Sequence, residues 1–197
     1  MALAAGRAVR QVEPRVAASV TQLGLVARLI APALALVVAT GYLPTATLSE
    51  VWWQGELGAA FPLSLPDATG GSSTPRSVST TRGAALIRAE LIGGPVRALT
   101  DAVTETVPVS RLVLQGNIAS AINSASTLIG SQRADLRQAS RAVADALLRD
   151  PELNPLQNPS GPAFRRSSCC LIYRAGPGRS ATAGSTCGDC ILTSSPR

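Results

Sequence analysis

All four cysteines of this 197-residue chain fall within one stretch, "RRSSCCLIYRAGPGRSATAGSTCGDCIL" (165–192), as the adjacent pair Cys169 and Cys170 and the later pair Cys187 and Cys190. Thiols gathered in this way can close disulfides, hold a zinc ion, or hold an iron–sulfur cluster, and each chemistry asks for a different geometry. A disulfide between neighbouring residues is strained, and disulfides persist mainly in oxidising compartments. The N-terminal run "MALAAGRAVRQVEPR" has no long apolar region after its charges, so no secretory signal is expected, and a cytosolic, thiol-preserving location is the expectation. A zinc tetrathiolate is commonly closed by two Cys-x2-Cys knuckles. Cys187-Gly-Asp-Cys190 is one such knuckle; Cys169-Cys170 is not, because neighbours cannot form the same chelate loop without distorting the backbone. A two-iron cluster divides its thiolates between two metals and tolerates an adjacent pair.

Other chemistries have less to work with. The absence of histidine removes Ser-His-Asp triads, Cys-His pairs and histidine-bearing zinc sites. No glycine-rich phosphate loop appears. All 18 basic residues are arginine, against 12 acids, for a formal charge of +6. They are spread along the chain without interleaved aromatics, so no nucleic-acid partner is expected. The exception is the group Arg165, Arg166, Arg174 and Arg179 around the cysteines. It is expected either to attract an anionic substrate or acidic electron donor, or to balance negative charge at the site.

The positioning elements are expected to be mainly helical. Apolar residues make up 46% of the chain and aromatics 3%, so the core must be built from small aliphatic side chains. Val16, Val20, Leu23, Ala27, Ile30 and Leu34 recur at helical spacing between Pro14, a first-turn residue, and Gly41, a stop. Pro32 is expected to kink or divide this helix into two pieces. The most apolar run, from Leu29 to Thr40, is then too short for a membrane span, which needs about 20 residues. Trp52 and Trp53, with the run Phe61 to Leu65, suggest a hairpin of short strands in which the tryptophans pack. Residues 66–82 read as a surface loop. Helical pattern resumes at Ala84, breaks at Gly93, Gly94 and Pro95, and continues to Pro108. Ser110 is the expected cap of a helix carrying Leu114, Ile118, Ile122, Ala125 and Ile129 and ending at Gly130. Ser131 is the expected cap of a last helix carrying Leu136, Val143 and Leu147, stopped by Asp150 and Pro151. The proline-rich segment "PELNPLQNPSGPAF" then acts as a tether. The fold class is α+β, mainly helical: antiparallel helices with a short β-hairpin and a C-terminal cysteine-rich loop. A body over 1–157 is followed by a metal-binding segment over 158–197.

The cysteine stretch resembles the C-terminal signature of FhuF-type ferric siderophore reductases, in the residues "FRRSSCCLIYRAGPG" and "CGDCIL". The upstream blocks "RVAASVTQLGLVARLIAPAL" and "VSRLVLQGNIASAI" are similar to the family's two helical blocks. The resemblance implies that Cys169, Cys170, Cys187 and Cys190 hold a [2Fe-2S] cluster, flanked by Arg166, Tyr173 and Arg174. It further implies an oxidoreductase that reduces cytosolic Fe(III)-siderophore by one electron and so releases the metal. The partners are then a ferric siderophore and an electron donor, with no transmembrane span. The loop between the cysteine pairs is longer than the family's usual spacing, an extension costing roughly 0.4 kcal/mol in closure entropy. The segment before "RVAAS" is shorter than usual, which would imply impaired activity. Two other functions draw on the same residues: a zinc-stabilised structural or interaction protein, and an iron–sulfur electron carrier or sensor that does not act on siderophores.

Overall fold

The computed structural model describes residues 12–44, 47–53, 63–64, 78–153, 157–158, 164–175 and 186–192. Helix α1 (Pro14–Thr40) opens with Pro14 in its first turn and closes on Gly41, whose φ of 71° lets its N–H reach the Val37 carbonyl at 2.9 Å. A left-handed residue at this point suits glycine, which has no Cβ to clash. The expected division at Pro32 does not occur: α1 runs through it as one 27-residue helix. An interior proline costs about 3 kcal/mol. Leu29, Ile30, Ala33 and Leu34 are buried on either side of it, and each large aliphatic side chain returns about 1.5–3 kcal/mol on burial. Uninterrupted, α1 is long and apolar enough, by length and composition, to cross a membrane. Its inward face, however, is bonded to the rest of the protein through polar side chains, as a core helix is.

Short strands β1 (Trp52–Trp53) and β2 (Leu63–Ser64) pair antiparallel, Trp52 opposite Ser64. Trp52 does not pack as expected; it is 75% exposed. Helix α2 (Thr80–Leu86) is capped by the Ser79 hydroxyl, which accepts from the Arg82 N–H at 3.3 Å, so the loop expected over 66–82 ends before Thr80. Most of that loop lies outside the described residues. Beyond α2 a wider helical stretch (Ile87–Val96) is broken at Gly94, as expected, and leads into α3 (Arg97–Thr106).

Helix α4 (Arg111–Gln132) begins after Ser110, which makes no side-chain capping bond. It does not stop at Gly130. That glycine is buried because Arg137 crosses it, with the Arg137 Cγ only 2.9 Å from where a Cβ would stand. Ser131 does not cap the next helix; its hydroxyl donates back to the Leu128 carbonyl at 2.8 Å. Helix α5 (Arg137–Leu148) follows a short turn, Ala134–Leu136. Helix α4 is the middle of the bundle, packed against α1 and α5, and the core is aliphatic, made of residues such as Ile30, Leu34, Ile122, Val143 and Leu147.

The segment after α5 is more than a tether. Strands β3 (Gln157–Asn158) and β4 (Arg165–Arg166) pair antiparallel, and Phe164 buries its ring in the core at 1% exposure. The chain is mainly helical, with two short ladders among the described residues.

Candidate metal centre

The cysteine stretch is seated on α4 by bonds on either side of β4. Arg166, at 0% exposure, donates from Nε to the Ser168 carbonyl (2.9 Å), from Nη2 to the Val113 carbonyl (3.0 Å), and from Nη1 to the Asn117 side-chain oxygen. Its backbone N–H donates to the Asp189 carbonyl at 3.1 Å, which joins the two cysteine arms. The space for this comes from Gly116. A Cβ there would collide with the Ser168 hydroxyl and stand 2.9 Å from Arg166 Nη2.

Behind Arg166 a buried polar chain runs into α1. Asn117 Nδ2 donates to Gln22 Oε1 (2.8 Å) and the Ser19 carbonyl (3.0 Å), and Gln22 Nε2 reaches Thr100 Oγ1 (3.3 Å). The Ser19 hydroxyl donates to the Cys170 carbonyl at 2.8 Å. This explains a shift in the buried face of α1. Ser19, Gln22 and Val26 are buried there, while Val20, Leu23 and Ala27, expected inside, are only half-buried. The face turns toward Ser19 and Gln22 because their hydrogen-bond partners, Asn117, Thr100 and the Cys170 carbonyl, lie inside.

Above this chain one thiol of each arm meets the other, Cys170 and Cys187, with Cys169 and Cys190 near enough to act on them electrostatically. The Cys187 thiol donates to the Cys170 sulfur, and that bond is the main reason the Cys170 thiol is pulled down to about 6 and Cys187 is pushed up. Burial raises Cys169, with further elevation from Cys170 and Cys190. Each thiol therefore lies within electrostatic reach of two others. Cys170 and Cys190 are buried; Cys169 and Cys187 are partly exposed. The two arms repeat one local feature: the Leu171 N–H points at Cys169 Sγ and the Leu192 N–H at Cys190 Sγ, both at 3.3 Å. Such bonds stabilise sulfur as an anion. In the first arm the turn is made at Leu171, whose φ of 67° is rare for a side chain of this kind. In the second arm Asp189 is docked on α4 by the Ser120 hydroxyl, with Ser124 adding a second bond. Burial raises the Asp189 carboxyl.

The arginines separate into distinct roles. Arg166 is not part of a surface rim, contrary to expectation: it is wholly buried, and each of its three guanidinium nitrogens donates to a neutral oxygen. Arg174 is exposed and ion-paired with Glu13, and the Arg15–Glu13 bond at 2.8 Å, the larger cause, with Arg174 holds the Glu13 carboxyl below its usual range. Arg165 is half-buried and donates to the Phe164 carbonyl at 2.7 Å. Arg179 lies outside the described residues.

The donor set suits a thiolate-bound metal centre. Among the described residues no three His, Cys, Asp or Glu side chains form a group able to hold one ion. A two-iron cluster would take four cysteines shared between its metals; four soft donors are present, and Cys169 and Cys190 each accept a backbone amide. Sequence reasoning missed Ser19, Gln22, Gly116, Asn117, Ser120 and Asp189. The available signal was polar residues at helical spacing inside apolar helices: Ser19 and Gln22 in α1, Asn117 and Ser120 in α4.

A separate, mostly apolar cleft of about 230 Å³ lies along the C-terminal half of α1, with Arg28, Leu36, Leu63 and Glu90 in its lining. Arg28 is nine residues beyond Ser19, roughly 14 Å along the helix axis, so the cleft is distinct from the thiol site. No family model, curated protein or solved structure matches the chain.

Proposed function

We propose that this chain is a [2Fe-2S] protein that passes one electron to a ferric siderophore and so releases iron as Fe(II). The observation that carries the reading is the approach of two cysteine arms, Cys170 bonded to Cys187, beside the buried Arg166 guanidinium that is seated against α4. Cys169, Cys170, Cys187 and Cys190 would hold the cluster, which when bound supplies a one-electron store. An external one-electron donor fills that store, and the Fe(III) of the substrate empties it. Hard oxygen ligands hold Fe(III) far better than Fe(II), so a single electron is enough to loosen the metal.

The chain's own residues support the reading in three ways. Leu171 and Leu192 aim amides at sulfur. The partly exposed Cys169 and Cys187 give the site an open side where a bulky chelate can approach. The exposed Arg174 and the half-buried Arg165, the other described arginines of the cysteine stretch, suit an anionic substrate or donor. The reading implies a thiol-preserving, cytosolic setting.

Anaerobic purification followed by iron, acid-labile sulfide and zinc analysis is the test. Matching iron and sulfide, with absorbance that bleaches on dithionite and returns on adding a ferric siderophore while a chelator traps Fe(II), is the expected result. A colourless protein holding zinc and no sulfide would sink the cluster. A cluster whose reoxidation is indifferent to siderophore would leave a carrier or sensor.

A further inference from the structure

Arg166 is unusual for the company it lacks. Among the described residues it is the largest fully buried side chain, yet none of the guanidinium bonds seen there goes to a carboxylate; the acceptors are Asn117, Val113 and Ser168. No carboxylate among the described residues lies within ion-pair distance of it, Asp189 acting on it only from farther off. A buried, unpaired charge is costly and is kept where an opposite charge offsets it. Burial works against its charge, and the groups that oppose this by favouring the charged form are Cys170, Cys187, Cys169 and Asp189, the first three being thiols that carry charge only as thiolates. The cation is thus installed beneath a site that becomes strongly negative when its four cysteines act as ligands.

We propose that Arg166 is a positioning residue that serves as the built-in counter-ion of the cysteine-bound group, setting how firmly that group is held and how readily the site takes up an electron. The role rests on the iron–sulfur reading above. A fixed positive charge favours the more reduced, more negative state of the site, and thereby raises its potential. Its placement depends on α4: Asn117 holds one end of the fork, and the missing side chain of Gly116 leaves room for the other. The electron still comes from the external donor; Arg166 neither gives nor takes one.

The experiment compares wild type with R166Q, R166K and G116A, each reconstituted anaerobically with ferrous iron and sulfide. Midpoint potential, rate of iron loss to a chelator, and far-ultraviolet circular dichroism are measured. R166Q is expected to shift to lower potential and to lose iron about 10–100-fold faster, the usual range for a group that supports metal ligands. R166K, which keeps the charge without the fork, is expected to stay near the wild-type potential. G116A retains Arg166 but denies it its seat, so it should shift in the direction of R166Q, and it decides the matter if R166Q fails to fold. A folded R166Q or G116A with wild-type potential and iron loss overturns the role, as does R166K with the potential of R166Q. Failure of wild type to retain iron and sulfide overturns the iron–sulfur reading itself, and the counter-ion with it.

Discussion

Asn117 holds the cysteine stretch to the helical body through one amide group. Its oxygen takes Arg166, and its nitrogen serves Gln22 and Ser19. A buried donor or acceptor left unmet costs about 1–3 kcal/mol, and more where a charge is involved. Asn117→Leu should therefore lower the unfolding free energy of the metal-free protein by about 3 kcal/mol in urea titration. Ser19→Ala, which removes one hydroxyl contact to the Cys170 carbonyl, should cost about 1 kcal/mol. Equal losses in the two variants would show that Asn117 has no special place in the chain of bonds. The sequence carried only a faint signal of this, in polar residues Ser19, Gln22 and Asn117 that interrupt apolar patterns; their convergence from distant parts of the sequence gives them partners.

At the scale of elements, α1 carries two tests of how local preference and packing compete. Gly41 closes the helix in a left-handed conformation, which costs other L-residues about 1–2 kcal/mol. Gly41→Ala should lower thermal stability by that amount, and Gly41→Asn by less; an unchanged melting temperature for the alanine variant would refute the cap. Pro32 sits on the outer face of the same helix, where it withholds an N–H. Pro32→Ala should stabilise the protein by about 1–3 kcal/mol, measured as a raised urea midpoint, and a loss would mean that the proline shape is needed beside the cleft. Local chemistry predicted both ends of α1 correctly, because a cap depends on a few neighbouring residues. It mispredicted the middle, because burial of Leu29, Ile30, Ala33 and Leu34 outweighs the missing bond.

For the molecule as a whole, the contiguous apolar core contains no cysteine and draws on the final segment through Phe164 and Leu153. The helices should therefore outlast the cysteine site. Replacing all four cysteines by serine, or stripping metal with a chelator, should leave the far-ultraviolet spectrum and a cooperative melt in place. Loss of helical signal on metal removal would instead favour the zinc-clip function, in which folding depends on the ion.

The sequence by itself determined the thiol-rich chemistry, the exclusion of histidine mechanisms and the predominance of helix, since residue types and short-range spacing are sufficient for these. Tertiary structure alone decided that Arg166 lies beneath the cysteines rather than around them. It also decided that Gly116 is a gap for the guanidinium and that Asp189 is docked by serines of α4. The reason is physical. Whether an arginine is solvated or buried depends on which surfaces close over it, and those surfaces come from residues far away along the chain.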